Sequence, residues 1–229
     1  IKIKIDNFYN NKLNYKLAYS PERVLPGNIL YEILNNDKIV GGIDDNSTNF
    51  VKNFFSKIIK GNVHTASSNM AELCKLVENS FRDLNIAFAN ELSILCSNNK
   101  MRVDDLINLA NKHKRVNILN PSIGVGGHCI PIDPLFLLEL DKKNTSLIKL
   151  SRSINNKKTQ WILNKLIKDL KKINKNKIKI ICMGLSYKPD VGDMRESPSL
   201  EIYQALTKNK KFLTYAHDPH IKDKKLFIK

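Results

Sequence analysis

From Asn69 to about Cys96 the chain runs nearly thirty residues without a glycine or a proline. Within that stretch Leu73, Leu76, Val77, Leu84, Ala87, Phe88, Leu92 and Leu95 return at spacings of three and four, the period of one face of an α-helix. Asn69, followed three residues later by Glu72, has the form of a capping box. A second stretch, Thr145 to Ile173, repeats the pattern with Ile148, Ile154, Trp161, Leu163, Leu166 and Leu170 as apolar anchors. At 1.5 Å per residue each is a rod of about 40 Å. Two such rods packed side by side make the spine of a helical domain, placed here at residues 64–174, and offer a surface for a dimer.

The flanks have a different texture. Ile1 to Asp6 alternates aliphatic and charged residues like a strand. Pro21 and Pro26 bar a regular helix between them. NSTNFVKNFFSKIIKG has helical spacing, with Ser47 or Asn49 as cap and Gly61 as stop, and NVHTAS after it reads as a short strand or connector. Inside the helical domain, VDDLINLANKHK is a shorter helix, and PLFLLELDKK is one opened by Pro134 in its first turn. From Lys177, KIKIICMGL reads as a buried strand closing on glycine, SPSLEIYQALTK as a helix with Ser197 near its cap, and FLTYAHDP as a second strand. Strand, glycine loop, helix and strand make half of a doubly wound unit, with too few strands to cover both faces of a sheet. The expected fold is therefore α/β: a central long-helix domain at 64–174 flanked by partial Rossmann-like domains at 1–63 and 175–229.

With 229 residues, 42% of them hydrophobic and 26% charged, the composition is that of a soluble globular protein. No apolar run is long enough to cross a bilayer, so no membrane partner is expected. The net charge of +16 raises nucleic acid as a partner. However, all but six of the 38 basic residues are lysines, scattered rather than striped, and base readout favours the arginine fork. A solvated lysine-rich surface is the simpler reading. Three of the four cysteines, Cys74, Cys96 and Cys182, lie in apolar runs, and none forms a C-x-x-C pair. That usage points to a reducing cytoplasm.

Cys129 is the exception. It sits in GVGGHCIPIDP, after three glycines in four positions and before Pro131 and Pro134. Glycines free the backbone for close approach to a ligand, and prolines then end that freedom. The pattern presents a thiol at a fixed place, and a thiolate is a potent nucleophile. Asp133, four residues on, could orient water or move a proton. Lys75, Asn79 and Arg82 stand at i, i+4 and i+7 on one face of the long helix, a set that suits an anionic or hydroxylated ligand and is otherwise a solvated face. KPDVGDMRES carries Lys188 and Arg195 after the strand-and-glycine turn, where phosphates bind in such units. KHKRVN places His113 and Arg115 at the start of the cysteine loop. A metal is not expected: His128 and Cys129 are adjacent, with no second Cys/His pair nearby at ligand spacing. A cysteine hydrolase using His64 or His113 as base stays open at this point.

SPERVLPGN, AELCKLVENSFRDLNIAFANEL, RVNIL through GVGGHCIPIDP, and GLSYKPDVGDMRESP together resemble the UDP-glucose/GDP-mannose dehydrogenases, in order and from Ala18 onward. The resemblance implies oxidation of a nucleotide sugar at C6 to a carboxylate, by two hydride transfers to NAD. It gives Cys129 the role of nucleophile through a thiohemiacetal and a thioester, and Lys75 that of general acid/base and oxyanion stabiliser. Asn79 would hold the oxygen at C6, and Asp133 would assist proton transfer or activate water. Arg23, Val24, Arg82, Gly126, Tyr187 and Lys188 would line the sugar-nucleotide site, His113 and Arg115 would reach into a partner subunit's site, and Arg195 would contact NAD. Members acting on UDP-glucose carry a second acid where this chain has Pro26. That departure, with His128 before the cysteine, favours a UDP-N-acetylhexosamine substrate, and VLPG with RVNIL favours the mannosamine.

The family opens with a dinucleotide-binding half that carries G-x-G-x-x-G, and no such motif occurs in these 229 residues. The chain also begins on Ile1 rather than methionine. It therefore reads as a fragment: the tail of an NAD-binding domain (1–63), the central dimerisation and catalytic domain (64–174), and a truncated UDP-binding domain (175–229). The expected partners are a UDP-N-acetylhexosamine, a second copy of the chain, and a separate chain supplying the NAD-binding half. The alternatives are a 6-dehydrogenase of UDP-N-acetylglucosamine or UDP-glucose, or a non-catalytic helical dimerisation or nucleotide-sugar-binding module.

Overall fold

In the computed structural model, the structure describes residues 1–9, 13–24, 28–173 and 175–221. Pro26 and the last eight residues lie outside them. The chain divides into two compact units, Ile1–Glu78 and Asn79–Lys229.

In the first unit, β1 (Ala18–Tyr19) pairs antiparallel with β2 (Lys38–Gly42), and β2 pairs parallel with β3 (Val63–Ser67), in register from Lys38 opposite Val63 to Gly42 opposite Ser67. Helix α3 (Asp45–Ser56) makes the crossover between the parallel strands, while α1 (Lys2–Phe8) and α2 (Ile29–Asn35) complete the unit's smaller elements.

Two local expectations are corrected here. IKIKID is the start of α1, not a strand. Alternation specifies a strand only where a sheet edge can take its main-chain bonds, and none of the described strands pairs with this segment. As a helix the segment satisfies itself, with Lys2 and Asp6 one turn apart at 4.0 Å and the Tyr15 hydroxyl donating to Asp6. The cap of α3 is Asp44, whose Oδ1 accepts from the Ser47 amide at 2.6 Å, rather than Ser47 or Asn49. Ser47 is instead buried, and its hydroxyl accepts from the Leu17 amide. The helix ends at Ser56, before Gly61.

Helix α4 (Ser68–Asn98) begins in the first unit and continues through the second. The second unit adds α5 (Val103–Ala110), α6 (Asp133–Leu140), α7 (Ser146–Leu170), β4 (Ile178–Met183), α8 (Pro198–Thr207) and β5 (Phe212–His217). Strands β4 and β5 are parallel, with Ile178 opposite Phe212 and Met183 opposite His217. Ser197 caps α8, accepting from the Leu200 amide. Leu163 of α7, Ile202 and Leu206 of α8, and Phe212 of β5 form a buried cluster, joined by Leu166, Leu170, Ile178 and Ile180. Burying such side chains stabilises the unit by roughly 1.5–3 kcal/mol each.

Where α4 faces α7 the contact is polar, which the apolar spacing does not suggest. The buried residues of α7 are Ser151, Arg152, Asn155, Lys158, Thr159 and Leu163. Those of α4 include Asn79, Asp83, Ala87 and Asn90. Asp83 accepts from Ser151 at 3.2 Å, from Arg152 at 2.5 Å and from Asn155 at 2.8 Å. Val77, Phe88 and Leu95, which the spacing marks as apolar anchors, are each about half exposed.

Asp218, just past β5, joins the ends of the two strands. Its Oδ2 accepts from the amides of Leu185 and Ser186 and from the Ser186 hydroxyl, and its Oδ1 accepts from the His220 amide. Burial alone would raise this carboxyl, but these donors hold it down at about 2. Asp218→Asn is therefore expected to lower stability at pH 7 by roughly 1–3 kcal/mol. Because the folded pKa is depressed, that contribution is present above the ordinary carboxylate range and is lost as pH falls toward 2. Urea unfolding at pH 7 and at pH 3 checks this: the gap between wild type and variant narrows at the lower pH, and a constant gap refutes the assignment.

Candidate active site

The loop from Arg115 to Pro131 has no regular secondary structure beyond turns, so its main-chain groups need partners from elsewhere. Side-chain amides and hydroxyls supply them. Asn85 accepts from the Leu119 amide and donates to the Asn117 carbonyl, both at 2.9 Å. Asn111 bonds both main-chain groups of Ile118. Asn90 accepts from the Ser122 amide at 2.8 Å and donates to Asn155, and Thr159 donates to the Ile123 carbonyl at 2.9 Å. The buried polar seam between α4 and α7 is thus continuous with the device that holds this loop.

Further along, the loop lies on the segment after β4. The Gly127 amide donates to the Arg195 carbonyl at 3.0 Å, and Gly127 has φ +89°. A Cβ at Gly126 would stand 2.5 Å from the Glu196 carbonyl oxygen and 2.7 Å from Cβ of Tyr187. Only glycine allows this approach. Cys129 is exposed, and its carbonyl accepts from the amides of Ile132 and Asp133 at 3.0 and 2.8 Å. That turn fixes Asp133 at the start of α6, where Pro134 occupies the first turn. Asp133 Oδ2 in turn accepts from the buried Asn79 amide of α4 at 2.5 Å.

Arg195 forks onto Asp193, with Nε–Oδ1 at 3.0 Å and Nη2–Oδ2 at 2.6 Å. The pair holds the Asp193 carboxyl at about 2, chiefly through the hydrogen bonds from Arg195 and, to a smaller degree, through the charge of His128. The Arg195 guanidinium is shifted up by Asp193 first, and by Tyr187 and Cys129 in smaller measure. Cys129, His128, Tyr187, Asp193 and Arg195 therefore share one electrostatic neighbourhood. Tyr187 and Lys188 also line a cleft of about 370 Å³ with Gly184, Ser186, Asp218 and His220.

In the first unit, the SPERV segment is fastened to α4. Lys75 Nζ donates to the Glu22 carbonyl at 2.8 Å, and Arg23 forks onto Glu78, with Nε–Oε2 at 3.2 Å. The Glu22 carboxylate receives the buried Lys38 at 3.3 Å, and Val24 is half-buried. Arg82, His113 and Arg115 are exposed, and no ion-pair partner for Arg82 occurs among the described residues. The Arg115 amide donates to His113 Nδ1 at 3.3 Å.

The structure thus joins Asn79 to Asp133, and the glycine loop to Tyr187 and Arg195. It leaves Arg82, His113 and Arg115 at the surface. Glu78, Asp193, Asn90, Asn155 and Thr159 are partners that motif reading missed. The first two sit within three residues of a named cation, which is the signal that could have found them. Among the described residues no cluster of three His, Cys, Asp or Glu could hold a metal, and no helix is long and apolar enough to cross a membrane.

An exposed thiol on a glycine-lined loop thus stands beside a strand–helix–strand half with a cleft at the strand ends. Three domain models of one family match successive stretches: the NAD binding domain over residues 2–59, the central domain over 69–157 and the UDP binding domain over 181–228. The chain belongs to the UDP-glucose/GDP-mannose dehydrogenase family. Within it, the chain is 46% identical over 205 residues to the UDP-N-acetyl-D-mannosamine dehydrogenase of Methanococcus vannielii, covering 89% of this chain and 47% of that protein. It is 41% identical over 211 residues to the Escherichia coli K12 protein of the same name, covering 90% of this chain and 50% of that one. The UDP-D-ManNAc dehydrogenase structure from Pyrococcus horikoshii superposes with a TM-score of 0.87 at 34% identity, covering 96% of this chain and 54% of that one. The chain spans about half the length of the curated relatives it matches.

Proposed function

We propose that this chain carries the thiol and much of the sugar-nucleotide site of an NAD-dependent UDP-N-acetyl-D-mannosamine 6-dehydrogenase. The observation that carries this reading is Cys129: exposed on a loop whose glycines press on Tyr187, and main-chain bonded to Asp133, which holds the buried Asn79.

In this reading the sulfur of Cys129 adds to the C6 aldehyde as a thiohemiacetal, which becomes a thioester on loss of hydride. Water then opens the thioester and releases the carboxylate and the thiol. NAD, when bound, takes up the two hydrides. Overall one primary alcohol, two NAD⁺ and one water yield one carboxylate, two NADH and three protons. Lys75, one helical turn before Asn79 on α4, moves the alcohol proton and stabilises the oxyanion. Asn79 holds the oxygen at C6, and Asp133 orients the hydrolytic water. Arg23, Val24, Arg82, Gly126, Tyr187 and Lys188 bind the nucleotide sugar, and His113 and Arg115 serve the site of a second copy across a dimer. The half-exposed Val77, Phe88 and Leu95 of α4 give that dimer an apolar surface. Four free cysteines fit a reducing cytoplasm. The three parts are residues 1–63, 64–174 and 175–229.

The residues present do not by themselves cradle a dinucleotide. The glycine fingerprint is not in the sequence, and the guanidinium of Arg195, the residue expected at NAD, is committed to Asp193. In this reading the rest of the NAD site comes from a segment that carries the fingerprint. Incubation with UDP-N-acetylmannosamine and NAD, followed by absorbance of NADH, tests this. Little or no turnover is expected from the chain alone. Two NADH per sugar are expected when the fingerprint-bearing half of a relative is added. Robust turnover alone overturns the need for that half, and silence of a complex that demonstrably forms overturns the catalytic reading.

A further inference from the structure

The C-terminal turns of α4 and α7 enclose a groove of about 470 Å³, lined by Ser97, Trp161, Asn164, Lys165, Lys168 and Lys172. It shares no residue with the thiol loop or with the cleft at the ends of β4 and β5. Lys158 Nζ stands 4.6 Å and Lys165 Nζ 5.2 Å from the centroid of the same Trp161 ring. Each ammonium reaches across to α4, Lys158 to the Ser93 hydroxyl and Lys165 to that of Ser97. Since Asp83 meets Arg152, Asn90 meets Asn155 and Ser97 meets Lys165, the two helices run in the same direction.

Charge decides what this groove suits. Lys165, Lys168 and Lys172 line it, and the buried Lys158 stands over the same Trp161 ring, so four positive charges gather here. Asp169, 2.6 Å from Lys172, offsets one, and it is the only carboxylate that lines the groove among the described residues. Two parallel helix ends contribute about −0.5 each and offset roughly one more. About two positive charges stay uncompensated, and two of the four ammonium groups, those of Lys158 and Lys165, face one aromatic ring. Crowding has a cost that is visible on the buried Lys158: burial first, and then the charge of Lys165, bring its ammonium down to about 8.

We propose that this groove binds a small anion of the diphosphate class. Its surplus charge matches such a group, its volume lies in the usual range for small-ligand sites, and Ser97 and Asn164 add neutral hydrogen-bonding groups beside the ammonium ions.

Trp161 is the only tryptophan in the chain, so its emission reports this groove alone. Titration with inorganic pyrophosphate at constant ionic strength is expected to change that emission saturably, with half-saturation below about 1 mM. Lys165→Met and Lys168→Glu, both at exposed positions, should each raise the half-saturation by about tenfold with unchanged far-ultraviolet circular dichroism. UDP titrated in parallel separates the sources. A response at least as tight as that to pyrophosphate assigns an esterified diphosphate, and a response to pyrophosphate alone assigns the free ion. No saturable change with either, an equal change with matched sodium chloride, or variants that titrate like wild type overturn the proposal.

Discussion

Cys129→Ala is expected to cut carboxylate formation by about a thousandfold or more once the NAD-binding half is supplied, since Cys129 carries the only thiol on the loop. Affinity for UDP-N-acetylmannosamine should hardly change. The loop is held by Asn85, Asn90, Asn111 and Thr159 and by the close contact of Gly126 and Gly127 with the segment after β4, and none of these involves the sulfur. Calorimetric titration with the nucleotide sugar, alongside product analysis, separates binding from chemistry. Unchanged carboxylate formation in the alanine variant would refute the thiol mechanism.

The second large effect is on stability. Arg152→Met leaves the fully buried Asp83 carboxylate without its cation, and stranding one partner of a buried pair costs about 3–5 kcal/mol. Asp83→Asn added to Arg152→Met should recover part of that loss, because the amide removes the stranded charge while its oxygen still accepts from Asn155. Urea unfolding of wild type, both single variants and the double variant measures the coupling. Strictly additive losses would mean that water screens the pair.

Much of this architecture is legible in the chain because its signals are local. Long runs free of glycine and proline foretell α4 and α7, and Ser197 before Pro198 foretells the cap of α8. What is not legible is which face of a helix is buried. Asp83, Asn90, Arg152 and Asn155 read as a solvated stripe on any helical wheel, yet they lie between the helices, because the partner that satisfies each one is 65 or more residues away. IKIKID fails for the related reason that alternation cannot announce whether a neighbouring strand exists. In the candidate site, the glycine run and Cys129 stand out from composition alone. The bond from Asn79 to Asp133 spans 54 residues, and no spacing rule reaches that far. Asp193 hides in plain view beside Arg195, because two residues of opposite sign in a loop are ordinary until their geometry is known.

Hanging the thiol loop from amide side chains has a consequence for how such a protein changes over time. A loop laced into a sheet inherits the sheet's rigidity, and a single substitution does little to it. Here the stretch from Asn117 to Ile123 is anchored at each point by one side chain, so an Asn-to-Ser exchange on a helix is enough to loosen the approach to the thiol. Drift in what the loop accepts can thus begin on α4 and α7 without any change in the loop itself.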